Sequence, residues 1–237
     1  MRNIVVLTGA GVSAESGLKT FRDANGLWEG HDVMEVATPE GFKNNPKLVL
    51  EFYNQRRRQL LEVKPNAAHI ALTRLEEHFQ VHIVTQNVDD LHERSGSKNV
   101  LHLHGELLKV RSTKPNSKPI VWKKDLVLGN QCENNYQLRP HVVWFGEAVP
   151  MLDAAIQITN KADILIIIGT SMQVYPAASL IDFCQDDVPV YFVDPNPSLS
   201  NKQKNNLTVI SEKAAVGVPN LVAHLIDKES KFYLPKQ

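Results

Sequence analysis

The chain enters a β-branched apolar run almost at once, and that run ends on glycines. "VVLTGAGVSAESG" sets Gly9, Gly11 and Ala14 in the spacing G-x-G-x-x-[G/A] directly after a strand. Small residues there let the backbone turn tightly and approach a pyrophosphate, and a following helix N-terminus favours an anion. An ordinary strand-to-helix turn is the competing reading of these glycines alone. Either way the strand is buried on both faces, which points to a parallel sheet covered by helices. Further short apolar runs repeat the pattern at Val81 to Val84, Ile164 to Ile168, Val190 to Val193 and, more weakly, Leu207 to Ile210. Most are bounded by Gly, Pro, Asn or Asp. Helical patterns lie between them. "NAAHIALTRLEEHF" follows Pro65 with an N-cap at Asn66, and "PAASLIDFCQ" opens at Pro176.

The expected fold is α/β: a Rossmann-type parallel sheet with helices on both faces, plus a smaller inserted module. Residues 1–26, 64–110 and 150–237 make the large domain, and insertions at 27–63 and 111–149 make the small one, within a single unit of 237 residues. Hydrophobic content of 43% and charged content of 22% supply a full core and a soluble surface. The formal net charge is zero, which argues against nucleic acid or a membrane surface as the main partner. The longest apolar run, Ile164 to Ile168, is far too short to span a bilayer. No secretion signal is read before the first strand, and two cysteines, Cys132 and Cys184, make no disulfide framework, so a reducing cytoplasm is expected.

One feature departs from a dehydrogenase. No acidic residue closes a second strand about 20 residues after the glycines. The chain there reads "TFRDANGLW", polar and glycine-containing, like a loop that closes over something. Farther on, "TQNVDD" places Gln86, Asn87 and Asp89 at the carboxyl end of a buried strand, where such sheets hold ligands. Amide and carboxylate side chains there can hydrogen-bond hydroxyls and a carboxamide. In "HLHGEL", His102 and His104 lie two apart, so an extended strand points both to one face. Spacing does not choose between them as a base.

"GAGVSAESGLKTFRDANGLW", "TQNVDDLHERSG", "HLHGELLKVR", "VVWFGE" and "GTSMQVYPAA" occur in this order from Gly9 to Ala178, and together they resemble the sirtuin family of NAD-dependent protein-lysine deacylases. The resemblance implies NAD consumed as a co-substrate in the cleft between the two domains. It selects His104 as the base and adds Asn87 to the catalytic set. It places Asn87 and Asp89 at the nicotinamide end and Gln86 at a ribose. It assigns further NAD contacts to Gly9, Ala10, Gly11, Ser13, Ala14 and Glu15, and to Phe21, Arg22 and Trp28 in the closing loop. Gly169, Thr170 and Ser171 follow as phosphate and ribose contacts, Asp194, Pro195 and Asn196 toward the adenosine, and Ala214 near adenine. Val143, Trp144, Phe145, Gly146 and Glu147 line the acyl-lysine channel, with an acylated protein or peptide pairing as an added strand. A monomer is expected. Transfer of ADP-ribose to a protein and a non-catalytic NAD sensor are the alternatives.

Most sirtuins hold a structural zinc with two C-x-x-C pairs. The corresponding segment here has Cys132 alone, so no metal is expected, and Trp122, Leu126, Leu128 and Tyr136 are the expected core of the small module. "EFYNQRRRQL" reads as a helix on which Tyr53 shares a face with Arg56 at three residues and with Arg57 at four. A phenol and a guanidinium converging there could grip a carboxylate. Helical spacing leaves both arginines open. The run also resembles the Tyr-x-x-Arg signature of sirtuins that remove succinyl, malonyl and glutaryl groups. That resemblance selects Tyr53 and Arg56, and leaves Arg57 and Arg58 for surface or interdomain contacts.

Overall fold

A computed structural model describes residues 1–19, 27–28, 30–198 and 206–233. Strand β1 (Asn3–Thr8) runs into a single helical turn, α1 (Gly11–Ala14). A short antiparallel pair, β2 (Leu27–Trp28) and β3 (His31–Asp32), leads to α2 (Val33–Val36), α3 (Pro39–Asn44) and the long α4 (Pro46–Glu62). Next come α5 (Ala67–Leu75), β4 (Gln80–Thr85), α6 (Leu91–Ser95) and β5 (Val100–His102). Strands β6 (Gly105–Ser112), β7 (Ile120–Val121) and β8 (Leu138–Val142) follow. Helix α7 (Leu152–Thr159), β9 (Ile164–Ile168), a 3₁₀ segment (Ala177–Phe183), β10 (Val190–Val193), β11 (Leu207–Ile210) and α8 (Ala214–Tyr233) complete the chain.

Among the described residues, six strands form one sheet in the order β11-β10-β9-β1-β4-β5. All of its pairings are parallel. Strand order reverses beside β1, so the carboxyl ends of β1 and β9 open a crevice of the kind that holds ligands in such sheets. The β-branched runs are buried on both faces, as a sheet sandwiched between helices requires: β9 reads buried at all five positions. One face packs Ile4, Val6, Ile83 and Ile166 against α5 and α8. The other packs Val5, Leu7, Leu165 and Ile167 against α7 and the 3₁₀ segment. "PAASLIDFCQ" is therefore helical but of the tighter 3₁₀ kind.

Local sequence explains the element starts. Asn66 caps α5, its Oδ1 accepting from Ala68 N at 2.9 Å while His69 Nδ1 accepts from Asn66 N at 3.3 Å. Asn45 caps α4 ahead of Pro46, which occupies the first helical turn. The helix expected after the glycines is one turn only. Asn66 Nδ2 donates to Val12 O and Ser16 Oγ, and Gly17 follows at φ +98°, so the chain leaves the helix there.

Strands β7, β6 and β8 form a second, antiparallel sheet. Its strand β6 begins at Gly105, so this sheet draws on residues on both sides of position 110. The sheet's own core is Leu50, Val110, Leu126 and Leu138, with Trp122 and Cys132 packed against it. This corrects the expected core in part: Leu128 and Tyr136 are 42% and 47% exposed. The reason is Asn54 on α4. It donates to Leu126 O at 3.0 Å and accepts from Leu126 N at 2.8 Å, which draws Leu126 beneath the helix and leaves its neighbours outside.

The three arginines have three fates. Arg58 is a surface residue paired with Glu51 and Asp125. Arg56 lines the large cavity described below. Arg57 is no surface residue: it is 1% exposed, donates to Leu107 O at 3.2 Å and to Asn54 Oδ1 at 2.7 Å, and burial pushes its pKa down to about 10. It still carries its charge at neutral pH, and it ties α4 to β6.

Among the described residues no group of three or more His, Cys, Asp or Glu side chains could hold a metal ion, and no helix is long and apolar enough to cross a membrane. The expectation that the small module needs no metal predicts that dialysis against EDTA leaves the urea midpoint unchanged. Leu126→Ala should lower unfolding stability by about 2–5 kcal/mol. An EDTA-induced fall in the midpoint would refute the metal-free account.

Candidate functional site

A cavity of about 640 Å³ lies at the carboxyl ends of β1, β4 and β9 and runs between the two sheets. Its floor is backbone. A Cβ on Gly11 would lie 2.6 Å from Gly169 Cα, and one on Gly169, at φ +58°, would lie 2.5 Å from Gly11 C. The loops after β1 and β9 thus touch backbone to backbone, joined by Gly11 N donating to Gly169 O at 2.8 Å. In this structure the glycines serve loop packing as well as open access to the cavity. Gly9, Ala10, Gly11, Ser13, Ala14 and Glu15 all line it, as do Gly169, Thr170 and Ser171. Asp194, Pro195 and Ala214 line the end beside β10 and α8. Asn196 does not; its backbone N–H instead donates to Asp194 Oδ1 at 2.8 Å. Trp28 lines the cavity, whereas Phe21 and Arg22 lie outside the described residues.

The turn after β4 builds the polar wall. Asn87 Nδ2 donates to Ser13 Oγ at 3.1 Å, and Ser13 Oγ donates to Asp89 Oδ2 at 2.9 Å. Asp89 Oδ1 accepts from Leu91 N at 3.1 Å. All three side chains are nearly buried, so each is held in one orientation by its neighbours. Burial raises the Asp89 carboxyl above its ordinary value, with the Leu91 and Ser13 bonds opposing. Gln86 Nε2 donates to Thr170 Oγ1 at 3.1 Å and bridges the turn to the β9 loop.

The two histidines that spacing could not separate are set apart by their partners. His104 Nδ1 meets Gln86 O at 3.0 Å. A carbonyl can only accept, so Nδ1 carries the proton and Nε2 is left with its lone pair. Burial lowers the His104 pKa, which keeps the ring neutral at neutral pH. His104 lines the cavity; His102 does not. His102 holds Glu93 through Nε2 at 2.7 Å and Asn87 O through Nδ1 at 2.9 Å. Burial opposes its charge, but Glu93 outweighs burial and its pKa rises. A ring that donates from both nitrogens is no base. His104 is followed by Gly105, at φ +81°, where a Cβ would lie 2.1 Å from His141 O. Only glycine lets β6 start there.

The other end of the cavity is lined by Tyr53, Arg56, Val143, Trp144, Phe145, Gly146 and Glu147. "VVWFGE" is strand only through Val142. The N–H groups of Val143, Trp144 and Phe145 are taken by His104 O, Glu147 Oε2 and Ala37 O, at 2.8, 2.8 and 2.9 Å. Gly146 at φ +85° then turns the chain. Tyr53 is 1% exposed, and its Oη accepts from Trp144 Nε1 at 2.9 Å. Burial holds its phenol well above the ordinary range, so it stays protonated. Arg56 Nη1 donates to Phe52 O at 2.9 Å, and the guanidinium lies 4.1 Å over the Phe52 ring, which pins the side chain one turn back on α4.

Sequence reasoning missed several lining residues. Gln59 and Leu60 extend the Tyr53 and Arg56 face of α4 by one more turn, and helical periodicity could have found them. Leu107, Ala37 and Lys213 also line the cavity, and no local signal marks them. The opposed histidine environments make a direct prediction. In an NMR titration, the His104 imidazole should titrate below 6.5 and that of His102 above it. The reverse order would remove His104 as the neutral base.

Residues 9–176 match the family model described as "Sir2 family". A Helicobacter pylori protein named NAD-dependent protein deacylase is 57% identical over 230 residues, 97% of this chain and 100% of that one. A crystal structure of a Sir2 homologue in complex with NAD superposes with a TM-score of 0.86 at 38% identity, covering 96% of this chain and 90% of the other. A Sir2 protein bound to an acetylated peptide superposes with a TM-score of 0.75 at 27% identity, covering 97% and 94%. The chain belongs to the Sir2, or sirtuin, family.

Proposed function

We propose that this cavity takes NAD and an acylated lysine together, that the protein is an NAD-dependent protein-lysine deacylase, and that it prefers acidic acyl groups such as succinyl and malonyl while keeping some deacetylation. The observation that carries the reading is His104. Its Nδ1 proton is committed to Gln86 O, and its Nε2 lone pair is available in a cavity walled by Asn87, Ser13 and Asp89. NAD fits the donor set. Bare glycine backbone floors one part of the cavity, and amide and carboxylate side chains wall another. When bound, NAD supplies the ADP-ribosyl group that accepts the acyl chain as nicotinamide leaves.

The chain's own residues then divide the work. His104 Nε2 takes a proton from a ribose hydroxyl. Asn87, oriented by Ser13, holds the nicotinamide end, with Asp89 behind it. Tyr53 and Arg56 on α4 receive the carboxylate of an acidic acyl group, the arginine as a charge-assisted donor. A substrate peptide lies along Val143 to Glu147. The N–H groups of residues 143 to 145 are already committed, and Trp144 O accepts from Glu147 N, so the peptide's own N–H groups supply the pairing to carbonyls that remain open along this segment.

Mass spectrometry with NAD and matched acetyl-, succinyl- and malonyl-lysine peptides tests the whole reading. Free lysine and free nicotinamide are expected, and His104→Ala should lower nicotinamide release by at least 100-fold, on the order of what a general base contributes. Added mass on the protein acceptor would instead support ADP-ribose transfer. Arg56→Met should reduce kcat/KM for succinyl-lysine roughly tenfold or more beyond its effect on acetyl-lysine, the order of a lost charge-assisted bond. Equal losses on both substrates would remove the acidic-acyl preference.

A further inference from the structure

A phenol hydroxyl rotates freely unless a neighbour fixes it, and a donor seated on the Tyr53 oxygen turns that O–H away from itself. Trp144 Nε1 lies 2.9 Å from Tyr53 Oη. An indole N–H donates and cannot accept, so the phenol oxygen is the acceptor and its own O–H must point elsewhere. Among the described residues no acceptor lies within hydrogen-bond distance of that hydroxyl, and Tyr53 lines the cavity. We propose that Trp144 is a specificity-determining positioning residue, whose indole N–H orients the Tyr53 hydroxyl so that its O–H donates a hydrogen bond to the carboxylate of an acidic acyl group.

The indole is held to this task from three sides. Trp144 is 2% exposed. The Arg139 guanidinium covers its face at 3.4 Å from the ring centroid, and the Phe42 ring packs 5.2 Å away. Its backbone N–H donates to Glu147 Oε2 at 2.8 Å. Glu147 is in turn gripped by Arg139, through Nη1 at 2.6 Å and Nη2 at 2.9 Å, and Arg139 Nη2 also donates to Val142 O. Arg139 does not line the cavity. It acts through the indole, fixing ring and backbone together. Donation from the indole also polarises the phenol O–H, which strengthens the bond that hydroxyl makes to an anion. A neutral acetyl group offers no carboxylate, so it gains nothing from this arrangement.

The inference rests on the proposed acidic-acyl reading, and the test separates the two. Trp144→Phe keeps an aromatic ring under Arg139 and removes the N–H. The succinyl-to-acetyl ratio of kcat/KM should fall on the order of tenfold, the size expected for one hydrogen bond to a charged group, with the selective loss in KM for the succinyl peptide. In a Tyr53→Phe background, Trp144→Phe should cause no further fall in that ratio. Should the phenylalanine variant fail to fold, β-(3-benzothienyl)alanine at position 144 keeps the bicyclic shape with sulfur in place of the N–H, and the same fall is expected. An unchanged ratio in the folded variant, or an equal further fall without the Tyr53 hydroxyl, overturns the role of Trp144. If Arg56→Met lowers the ratio while the position-144 variants leave it unchanged, the acidic-acyl reading stands and this inference falls. If wild type shows no succinyl preference and Arg56→Met changes nothing, both fall.

Discussion

Gly11 and Gly169 meet where strand order reverses, with no room for a side chain on either backbone. This contact sits at the crevice of a parallel sheet, and the rest of the site is arranged around it. It brings the loop after β1 against the loop after β9. It thereby sets Ser13 and Thr170 within reach of the β4 turn that carries Gln86, Asn87 and Asp89. The hydrogen bonds along that turn are short-range consequences of a long-range packing constraint.

Electrostatics then divides labour between similar residues. His102 and His104 differ little in sequence context, yet one faces Glu93 and Asn87 O and the other faces a single carbonyl. The Glu93 carboxylate favours the charged form of the first, and the second is left with a lone pair in the cavity. The three arginines of α4 follow the same rule. Arg58 meets exposed carboxylates, Arg57 is buried against Leu107 O and Asn54, and Arg56 is pinned over Phe52 at the cavity. An exposed pair such as Arg58 with Asp125 contributes little to stability, whereas removing Arg57 would take the side-chain donor from the buried Leu107 carbonyl.

The small sheet is held to the rest of the molecule largely by one helix. Asn54 binds both backbone groups of Leu126, Arg57 reaches Leu107 O, and Leu50 completes the apolar cluster. All three side chains come from α4, the same helix that presents Tyr53 and Arg56. Stabilising the small sheet and shaping the Tyr53 end of the cavity are thus coupled through one helix, with Trp144 lining the same end.

The sequence by itself determined the parallel sheet, because β-branched runs bounded by turn residues have few other places to go. It also marked the Asn66 cap, the glycine turn, and the clustering of Gln86, Asn87 and Asp89 at a strand end, all of which are local patterns. The tertiary structure alone decided which histidine stays neutral, which arginine is buried, and that "VVWFGE" turns after Val142. It also decided that Leu128 and Tyr136 face solvent. Each of these depends on a partner far along the chain: Gln86 for His104, Leu107 for Arg57, Ala37 for Phe145, Asn54 for Leu126. Residue type and periodicity specify what a side chain can do, but burial and hydrogen-bond partners are properties of the packed chain, and they select which of those capacities is used.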